Sequence, residues 1–240
     1  MFGFPAARLD FLLGDGEDAF EIERRLLQET LDSARKRGIL HMVGRVPAGD
    51  LCTTHALEQS GFERIDAIQT FSLGWPWRDF AGGREARLFE ERDLQQILEI
   101  ARRSYVFDRF HADTAIAAAT ADRIHEEWLL NCCRGTAADA VVVVREGAIV
   151  LGYATCKIDG ETREGLGLSI GSIGMVATAE RARRRGVAVA CTAGALGWFQ
   201  SRNVGLVQVG TQGRNMAAAR LYEKCGFRLT SNALTLRKLL

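Results

Sequence analysis

A basic glycine turn between two apolar segments is the feature of this chain that most directly suggests chemistry. An apolar stretch at 173–178 leads through Arg183-Arg184-Arg185-Gly186-Val187-Ala188 into a long apolar segment, 187–199. A helix that begins at such a turn leaves about four backbone N–H groups free and carries roughly half a positive charge. Gly186 and the small Ala188 let that backbone approach an anion closely, and the arginines add charged donors. The segment therefore predicts a site for a cofactor that carries a pyrophosphate.

Three phosphate-binding patterns distinguish the cofactors that such a turn can hold. The pattern G-x-x-x-x-G-K-[ST] does not occur in the sequence. The dinucleotide pattern G-x-G-x-x-G needs three spaced glycines, and here Gly186 stands alone among arginines. The third pattern, [QR]-x-x-G-x-[GA], is matched by Arg183, Gly186 and Ala188. It resembles the turn with which GCN5-related N-acetyltransferases (the GNAT superfamily) hold the pyrophosphate of coenzyme A.

A second motif follows in the order that this resemblance requires. After an apolar segment at 204–210, the chain contains Asn215, Ala219 and Tyr222 and then Gly226-Phe227. This resembles the ending of GNAT enzymes, which is a strand, an N-x-x-A-x-x-x-Y helix, a Gly-Phe turn and a last strand. The spacing places Asn215, Ala219 and Tyr222 on one helix face. The resemblance covers about 141–240 and implies acetyl-CoA as co-substrate, with the asparagine near the pantetheine arm and the tyrosine at the thioester sulfur.

The same resemblance implies direct transfer of an acetyl group to a primary amine. Backbone N–H groups of three strand residues would hold the thioester and pantetheine, namely Val176, Ala177 and Thr178. Tyr222 would donate a proton to the departing thiolate, a step typically worth about 10²–10⁴-fold. A covalent acyl-enzyme is not required, and no metal is expected.

The acceptor pocket of GNAT enzymes is usually built between the first helix and the first hairpin. In this region Arg109-Phe110-His111, Trp128 and Arg134-Gly135-Thr136 resemble the dTDP-fucosamine acetyltransferases, which acetylate the 4-amino group of a dTDP-4-amino-4,6-dideoxygalactose. An arginine can pair with the diphosphate, an aromatic ring can stack on thymine or sugar, and His111 can orient or deprotonate the amine. The predicted acceptor residues are thus Arg109, Phe110, His111, Trp128 and Arg134.

Several alternatives stay open at this point. The base that deprotonates the amine is His111, a carboxylate such as Asp113 or Glu126, or a water chain. Two features differ from the dTDP-fucosamine acetyltransferases: the segment that leads into the arginine turn is longer, and residues 237–238 are basic. The identities of the sugar and of the nucleotide therefore stay open. The acceptor is alternatively a protein N-terminus, an amino acid or an antibiotic, and a non-catalytic acyl-CoA-binding module is a third hypothesis. The intact turn and tyrosine favour an enzyme.

The first part of the chain echoes its end. Strands predicted at 7–13, 39–46 and 64–73 alternate with helices at 17–37 and 50–60, and Leu57 to Phe62 resembles Tyr222 to Phe227. We interpret residues 1–75 as a truncated GNAT-like N-terminal lobe that completes a sheet or walls the substrate site. Chance similarity of two α/β hairpins is the alternative.

The rest of the chain is predicted to form the catalytic domain. A linker at 76–86 precedes it, and the acetyl-CoA-binding domain occupies 87–240. It is predicted to contain helices at 91–101 and 113–133 and strands at 141–144, 149–157 and 165–178. The expected fold class is α/β, with a mixed central sheet flanked by helices.

Composition excludes some function classes. The chain has 240 residues, 47% of them hydrophobic, which suffices for a core. Its net charge of +1 provides no global field for nucleic acid or acidic membranes. Six cysteines without C-x-x-C spacing favour reduced thiols, and neither a signal peptide nor a membrane span is predicted. We therefore expect a soluble cytoplasmic protein with a small-molecule acceptor, and a homodimer by analogy with GNAT enzymes.

Overall fold

One mixed sheet of nine strands carries the other elements of the described chain. The computed structural model describes residues 3–10, 18–77, 85–159 and 168–240. The strands are β1 (Ala6–Leu9), β2 (His41–Pro47), β3 (Glu63–Gly74), β4 (Ala86–Leu88), β5 (Ala140–Glu146), β6 (Ile149–Asp159), β7 (Ile170–Thr178), β8 (Leu206–Gln212) and β9 (Arg228–Leu239). Their order across the sheet is β1-β2-β9-β3-β8-β7-β6-β5-β4. The β1–β2 and β7–β8 pairs are parallel and the other pairs antiparallel, so the predicted mixed α/β sheet is confirmed.

Helices cover both faces of this sheet. They are α1 (Ala19–Lys36), α2 (Leu51–Gln59), α3 (Leu94–Arg102), α4 (Arg109–Ala112), α5 (Ala118–Cys133), α6 (Val187–Gln200) and α7 (Met216–Lys224). The buried side chains of α1, α2, α6 and α7 pack on one face, and those of α3 and α5 pack on the other together with α4. In the described ranges, no helix is both long and apolar enough to cross a bilayer.

Helix α6 lies close to the sheet because glycines line its path. A Cβ on Gly171 would stand 2.5 Å from the Phe199 ring. A Cβ on Gly152 would stand 2.7 Å from the carbonyl oxygen of Ala177 and 2.8 Å from Val187, the first residue of the helix. Interiors are close-packed, so these missing methyl groups set the distance between helix and strands. The start of α6 is thereby held directly beside the end of β7.

Two glycines of α6 should respond to alanine with opposite signs. Gly194→Ala would place a methyl group 2.4 Å from Cβ of Ala86 on β4, so we expect a loss of about 1–3 kcal/mol from overpacking. Gly197→Ala meets no atom within 4 Å, so we expect a gain of about 0.5–1 kcal/mol from helix propensity. Urea unfolding of the two variants measures both. Changes of the same sign and size in the free energy of unfolding would contradict the packing of α6 against the edge strand.

The N-terminal lobe shares the sheet with the end of the chain. Strand β9 lies between β2 and β3, and pairs with His41–Pro47 on one side and with β3 on the other. The two Gly-Phe turns have the same geometry, because Phe62 N–H donates to Leu57 and Phe227 N–H donates to Tyr222, each at 3.0 Å. The division into a lobe at 1–75, a linker at 76–86 and a domain at 87–240 stays a prediction.

The helix predicted at 113–133 begins later than expected. Asp113 does not enter it, because its carboxylate accepts hydrogen bonds from His41 Nε2 at 2.7 Å and Arg237 Nε at 3.1 Å. The helix starts at Ala118, and the short α4 precedes it. The expected strand residues at 11–13 and 165–167 lie outside the described residues.

Candidate active site

Strands β7 and β8 separate in the middle of the sheet. Their ladder joins only 170–173 to 206–209. Immediately beyond it, one residue of β6, Thr155, faces two of β7, and its hydroxyl accepts the N–H of Met175 at 2.9 Å. Such a bulge bends a strand, and here β8 continues toward β3 instead. Within the described ranges no strand covers this edge of β7, so its peptide groups at 176–178 are free to pair with an extended ligand.

A groove of about 440 Å³ opens at this gap. The end of β7, the start of α6 and one side of α7 line it. Nine residues predicted from the sequence to hold the cofactor meet there: Val176, Ala177, Thr178, Arg183, Arg184, Gly186, Val187, Ala188 and Tyr222. Ala217, Ala218, Leu221 and Lys224 complete this side, and the sequence motifs did not single them out.

The glycine of the basic turn is required by its backbone conformation. Gly186 is the N-cap of α6 and has φ +79°, a left-handed value that side chains disfavour. A Cβ there would meet no atom within 4 Å, so space is not the constraint. The free N–H groups of the first turn of α6 and the guanidinium groups of Arg183 and Arg184 border the same groove. Together they concentrate positive charge and free N–H donors at this end of the groove.

Three other predicted cofactor residues lie outside the groove. Arg185 points to Glu146, with its Nη2 at 3.3 Å from the carboxylate. Asn215 caps α7, because its side chain accepts the N–H of Ala218 at 3.2 Å. Ala219 is buried in the core beside Tyr222. Their predicted roles at the cofactor stay predictions.

Tyr222 lines the groove and also packs in the core. Its ring packs against Phe71 and Phe227, with centroids 5.9 and 6.0 Å apart. Burial raises the pKa of the phenol, and Cys225 raises it further. No described residue forms a hydrogen bond with its hydroxyl in this structure. The hydroxyl therefore stays protonated through neutral pH and has a proton available for a ligand in the groove.

On the opposite face, aromatic side chains surround the same gap. Trp128 is 40% exposed, and its ring would be 3.8 Å from a Cβ on Gly174, at the bulge. Tyr105 stacks on His125 with centroids 4.6 Å apart. Burial raises the pKa of Tyr105, and its hydrogen bond with the Tyr153 hydroxyl at 3.0 Å partly opposes this. Tyr105 packs with the side chains of α3 and α5, on the face of the sheet opposite Tyr222.

His111 is held between two carboxylates. Its Nδ1 lies 2.5 Å from Asp108 Oδ2, and its Nε2 lies 3.1 Å from Asp122 Oδ1. Partial burial lowers the pKa of His111, but the hydrogen bonds and charges of Asp108 and Asp122 outweigh it, so the net pKa is raised. Donation from both nitrogens requires the protonated ring. This arrangement favours a cationic His111, which is a poor proton acceptor.

His125 has the opposite character. Burial lowers its pKa, and the charge of His111 lowers it further against the raising effect of Asp108. Its Nδ1 donates to the carbonyl of Ala121 at 3.2 Å, which leaves Nε2 as the acceptor nitrogen of a neutral ring. Nε2 lies 3.9 Å from Asp108 Oδ2. No sequence motif singles out His125, because only the fold brings it to Tyr105.

Asp108, His111 and His125 also offer one ligand atom each within 4.8 Å of one another. A divalent ion would need a free carboxylate, but Asp108 already accepts the N–H groups of Phe110 and His111 through Oδ1 and His111 Nδ1 through Oδ2. We therefore interpret the cluster as a hydrogen-bond network. The expectation that no metal is needed stays a prediction.

The remaining acceptor candidates divide into two groups. Arg109 lies over the ring of Phe110, with its Cζ at 4.4 Å from the centroid, and that ring packs at 5.9 Å against His125. Arg134 is the exposed C-cap residue of α5, about 9 Å beyond Trp128 along the helix axis. The structure brings Arg109, Phe110, His111 and Trp128 together around His125 and places Arg134 apart from them.

Two carboxylates that were candidate bases from the sequence already bind other side chains. Asp113 binds His41 and Arg237. Glu126 accepts from Arg102 Nε at 3.0 Å, and this hydrogen bond lowers its pKa. Cys191 and Cys225 near the motifs are buried, which raises their thiol pKa values to about 12 and about 11. All six cysteines are free thiols, and these two pack in the core.

A larger hollow, of about 610 Å³, adjoins the groove at Arg183. It lies between α3 and the turn after β7, and charges of both signs line it, such as Glu99, Arg103 and Glu180. Neither Tyr222 nor an acceptor candidate borders it. The chemistry of the gap between β7 and β8 therefore lies outside this hollow.

Known proteins resemble this chain in sequence. The sequence profile of the acetyltransferase (GNAT) family matches residues 85–227, more than half of the chain. The spore coat polysaccharide biosynthesis protein SpsD of Bacillus subtilis (strain 168) is 28% identical over 200 residues, which are 76% of this chain and 61% of SpsD. The chain thus spans less than two thirds of that relative. The dTDP-fucosamine acetyltransferase of Escherichia coli O6:H1 is 24% identical over 190 residues, 79% of this chain and 77% of the relative.

The fold also has solved counterparts. A tandem GNAT protein from the clavulanic acid biosynthesis pathway superposes with a TM-score of 0.68. The superposition covers 99% of this chain and 76% of that protein at 15% identity. At this identity the likeness shows the fold, including the described N-terminal strands.

Proposed function

We propose, since the chain belongs to the acetyltransferase (GNAT) family, that it acetylates the amino group of a nucleotide-linked amino-dideoxy sugar of the dTDP-4-amino-4,6-dideoxyhexose type. The gap between β7 and β8 carries this proposal. There a groove bordered by arginines on one face of the sheet lies opposite a cluster of aromatic and cationic side chains on the other. The names of the relatives, a dTDP-fucosamine acetyltransferase and a spore coat polysaccharide biosynthesis protein, support a sugar acceptor.

Acetyl-CoA, the acetyl donor of the family, fits the groove by the chemistry of its lining. The N–H groups at the start of α6, with Arg183 and Arg184, would bind the pyrophosphate. The uncovered edge of β7 would pair with the amide groups of the pantetheine arm. Acetyl-CoA supplies the acetyl group as a thioester, which an amine can attack directly. Cytoplasmic location, dimerisation and the roles of Arg185, Asn215 and Ala219 remain proposals.

Two proton-handling groups flank the gap. Tyr222 holds a proton on the groove side, where its raised pKa keeps it neutral and able to donate to a departing thiolate. On the acceptor side, Nε2 of the neutral His125 would accept the proton of the incoming amine. Asp108, 3.9 Å from that nitrogen, would attract the amine in its charged form. We therefore assign the acid to Tyr222 and the base to His125.

His125→Gln is expected to lower kcat by about 10²–10⁴-fold, because it removes the base. The wild-type pKa of His125 is lowered from its usual 6.5, so activity should fall with decreasing pH only below that value, as the ring becomes charged. The pH profile of kcat measures both effects. His55→Gln, on an exposed turn of α2, is the control and should change neither. An unaltered rate and acid limb in His125→Gln would exclude this base.

The proposal is tested by an assay of CoA release from acetyl-CoA. The acceptors are dTDP-4-amino-4,6-dideoxygalactose, its 4-epimer, a 3-amino isomer and a basic peptide. We expect turnover with one amino sugar, with a KM between about 1 μM and 1 mM. Acetyl-CoA binding without turnover on any of the nucleotide sugars would retain the donor site and reject the proposed acceptor class.

A further inference from the structure

A small cavity of about 190 Å³ lies where the N-terminal strands meet the acceptor segment. β1, β2 and β3 contribute to its walls together with residues 109–116, and its charged and polar lining is Arg8, His41, Arg109 and Asp113. This volume is below the roughly 300–1,000 Å³ of pockets that enclose a whole drug-sized ligand. The cavity is therefore suited to one group of a larger acceptor.

The sheet register sets a third arginine on the face of the sheet that holds this cavity. Side chains two apart on a strand share a face, so Arg45 points to the same side as Val43, which lines the cavity. Arg8 on β1 stands opposite Val43 in the parallel pair. Arg237, opposite Val43 on β9, reaches Asp113 and shows that this face lies under the acceptor segment. The N-terminal strands thus place Arg8 and Arg45 beside Arg109.

The three guanidinium groups interact unfavourably with one another. Burial lowers the pKa of Arg109, and the charges of Arg45 and Arg8 lower it further, while Asp108 and Asp113 partly oppose this. Burial also lowers the pKa of Arg45, with Asp66 opposing and Arg8 adding to this effect. Like charges held together in partly desolvated surroundings cost free energy unless an anion lies between them.

The neighbouring carboxylates do not neutralise the cluster fully. Asp113 is bound by His41 and Arg237, Asp108 caps α4, and Asp10 pairs with the exposed Arg8. Asp66 faces Arg45 and Arg214, but its burial raises its own pKa. In the described parts of the chain, Arg45 and Arg109 form no hydrogen bond or ion pair with a carboxylate. Their donors are available to a ligand.

A buried hydroxyl lies on the same face of the sheet, next to Arg45. Thr235 on β9 is fully buried, and its Oγ1 has no hydrogen-bond partner among the described residues. The register sets Thr235 opposite Arg45 on one side and Asp66 on the other. A buried polar atom without a partner is rare in folded proteins and suggests a missing ligand or water.

We propose that Arg8, Arg45 and Arg109 form a subsite, supplied mainly by the N-terminal strands, that binds the diphosphate of a nucleoside-diphosphate-linked acceptor. This inference rests on the proposed function for its choice of anion. Arg109 lies over Phe110, which packs on His125. A diphosphate at the arginines therefore directs the attached sugar past Phe110 toward the base, and it gives the N-terminal lobe a role in acceptor recognition.

The test measures dTDP affinity by calorimetry with saturating CoA present, so that dTDP cannot occupy the pyrophosphate site of the donor. Arg45→Ala and Arg109→Ala should each weaken dTDP binding about tenfold or more, since hydrogen bonds to charged groups are lost. Arg64→Ala removes an exposed β3 arginine that pairs with Glu58 and is the matched control, with unchanged affinity expected. Wild-type affinity should rise from thymidine through dTMP to dTDP, and this rise should be smaller in the two variants.

Two results would overturn the subsite. One is failure of the CoA-bound wild-type protein to bind dTDP, and the other is wild-type dTDP affinity in both arginine variants. Thermal midpoints and CoA affinity of the variants report whether they are folded. Turnover of an amino sugar with unaltered dTDP affinity in the variants rejects the subsite alone. Arginine-dependent dTDP binding without turnover on any amino sugar rejects the acceptor class and keeps the subsite.

Discussion

Tyr222→Phe is expected to lower kcat by about 10²–10⁴-fold while acetyl-CoA affinity stays unchanged. The substitution removes only the hydroxyl, and the ring contacts with Phe71 and Phe227 remain. Because burial raises the pKa of Tyr222, the phenol is neutral throughout the working pH range and serves as a donor. Steady-state kinetics gives the rate, and equilibrium titration with acetyl-CoA gives the affinity.

Tyr153→Phe is the matched control for the loss of a buried hydroxyl. The Tyr153 hydroxyl lies 3.0 Å from that of Tyr105, so its removal should cost about 1 kcal/mol of stability. Its side chain does not line the groove, and the stacking of Tyr105 on His125 remains, so kcat should fall far less than in Tyr222→Phe. A Tyr222→Phe enzyme as fast as wild type would eliminate the general-acid assignment and leave Tyr222 as a core aromatic residue.

Gly186→Glu is expected to weaken acetyl-CoA binding by about 100-fold or more. A side chain at φ +79° adds strain of roughly 1–3 kcal/mol at the turn. The carboxylate then stands at the start of α6, where the pyrophosphate would bind, and repulsion adds about 1–4 kcal/mol. Fluorescence or calorimetric titration with CoA measures the loss.

Gly186→Gln separates the two causes, because glutamine has nearly the same size and backbone strain without the charge. We expect its CoA affinity to lie between those of wild type and Gly186→Glu. High salt should reduce the difference in CoA affinity between the two variants. Equal affinities for Gln and Glu would mean that no anion lies at this turn. Wild-type affinity in both would place the donor elsewhere.

The acetyl-donor side of the site could be predicted from the sequence because each of its motifs lies within one short segment of the chain. Gly186 and Tyr222 belong to short motifs in consecutive elements, and each motif fixes its own geometry: a left-handed N-cap in one case and a helix face in the other. The opening between β7 and β8 was less visible, since the bulge at Gly174 and Met175 depends on Thr155 of another strand. Gly174 was the only sign of this opening in the local sequence.

The acceptor side depends on contacts between distant segments. His125 becomes a candidate base only through stacking on Tyr105 and the hydrogen bond to Ala121. Arg45 meets Arg109 because β2 and the acceptor segment lie on one face of the sheet. The helix expected from Asp113 starts five residues later because that carboxylate has buried partners from β2 and β9. Periodicity and spacing carry no information on such pairings.

The position of β9 in the sheet determines when the N-terminal strands can complete their pairing during translation. Strands β2 and β3 are synthesised roughly 150 residues before β9, the strand that separates them, which takes about 8–30 s at ~5–20 residues per second. Until then their facing edges lack a partner and can recruit other nascent chains. The N-terminal lobe thus cannot finish folding on the ribosome ahead of the rest. Its sheet, and any anion subsite built on it, is completed only when β9 has been made.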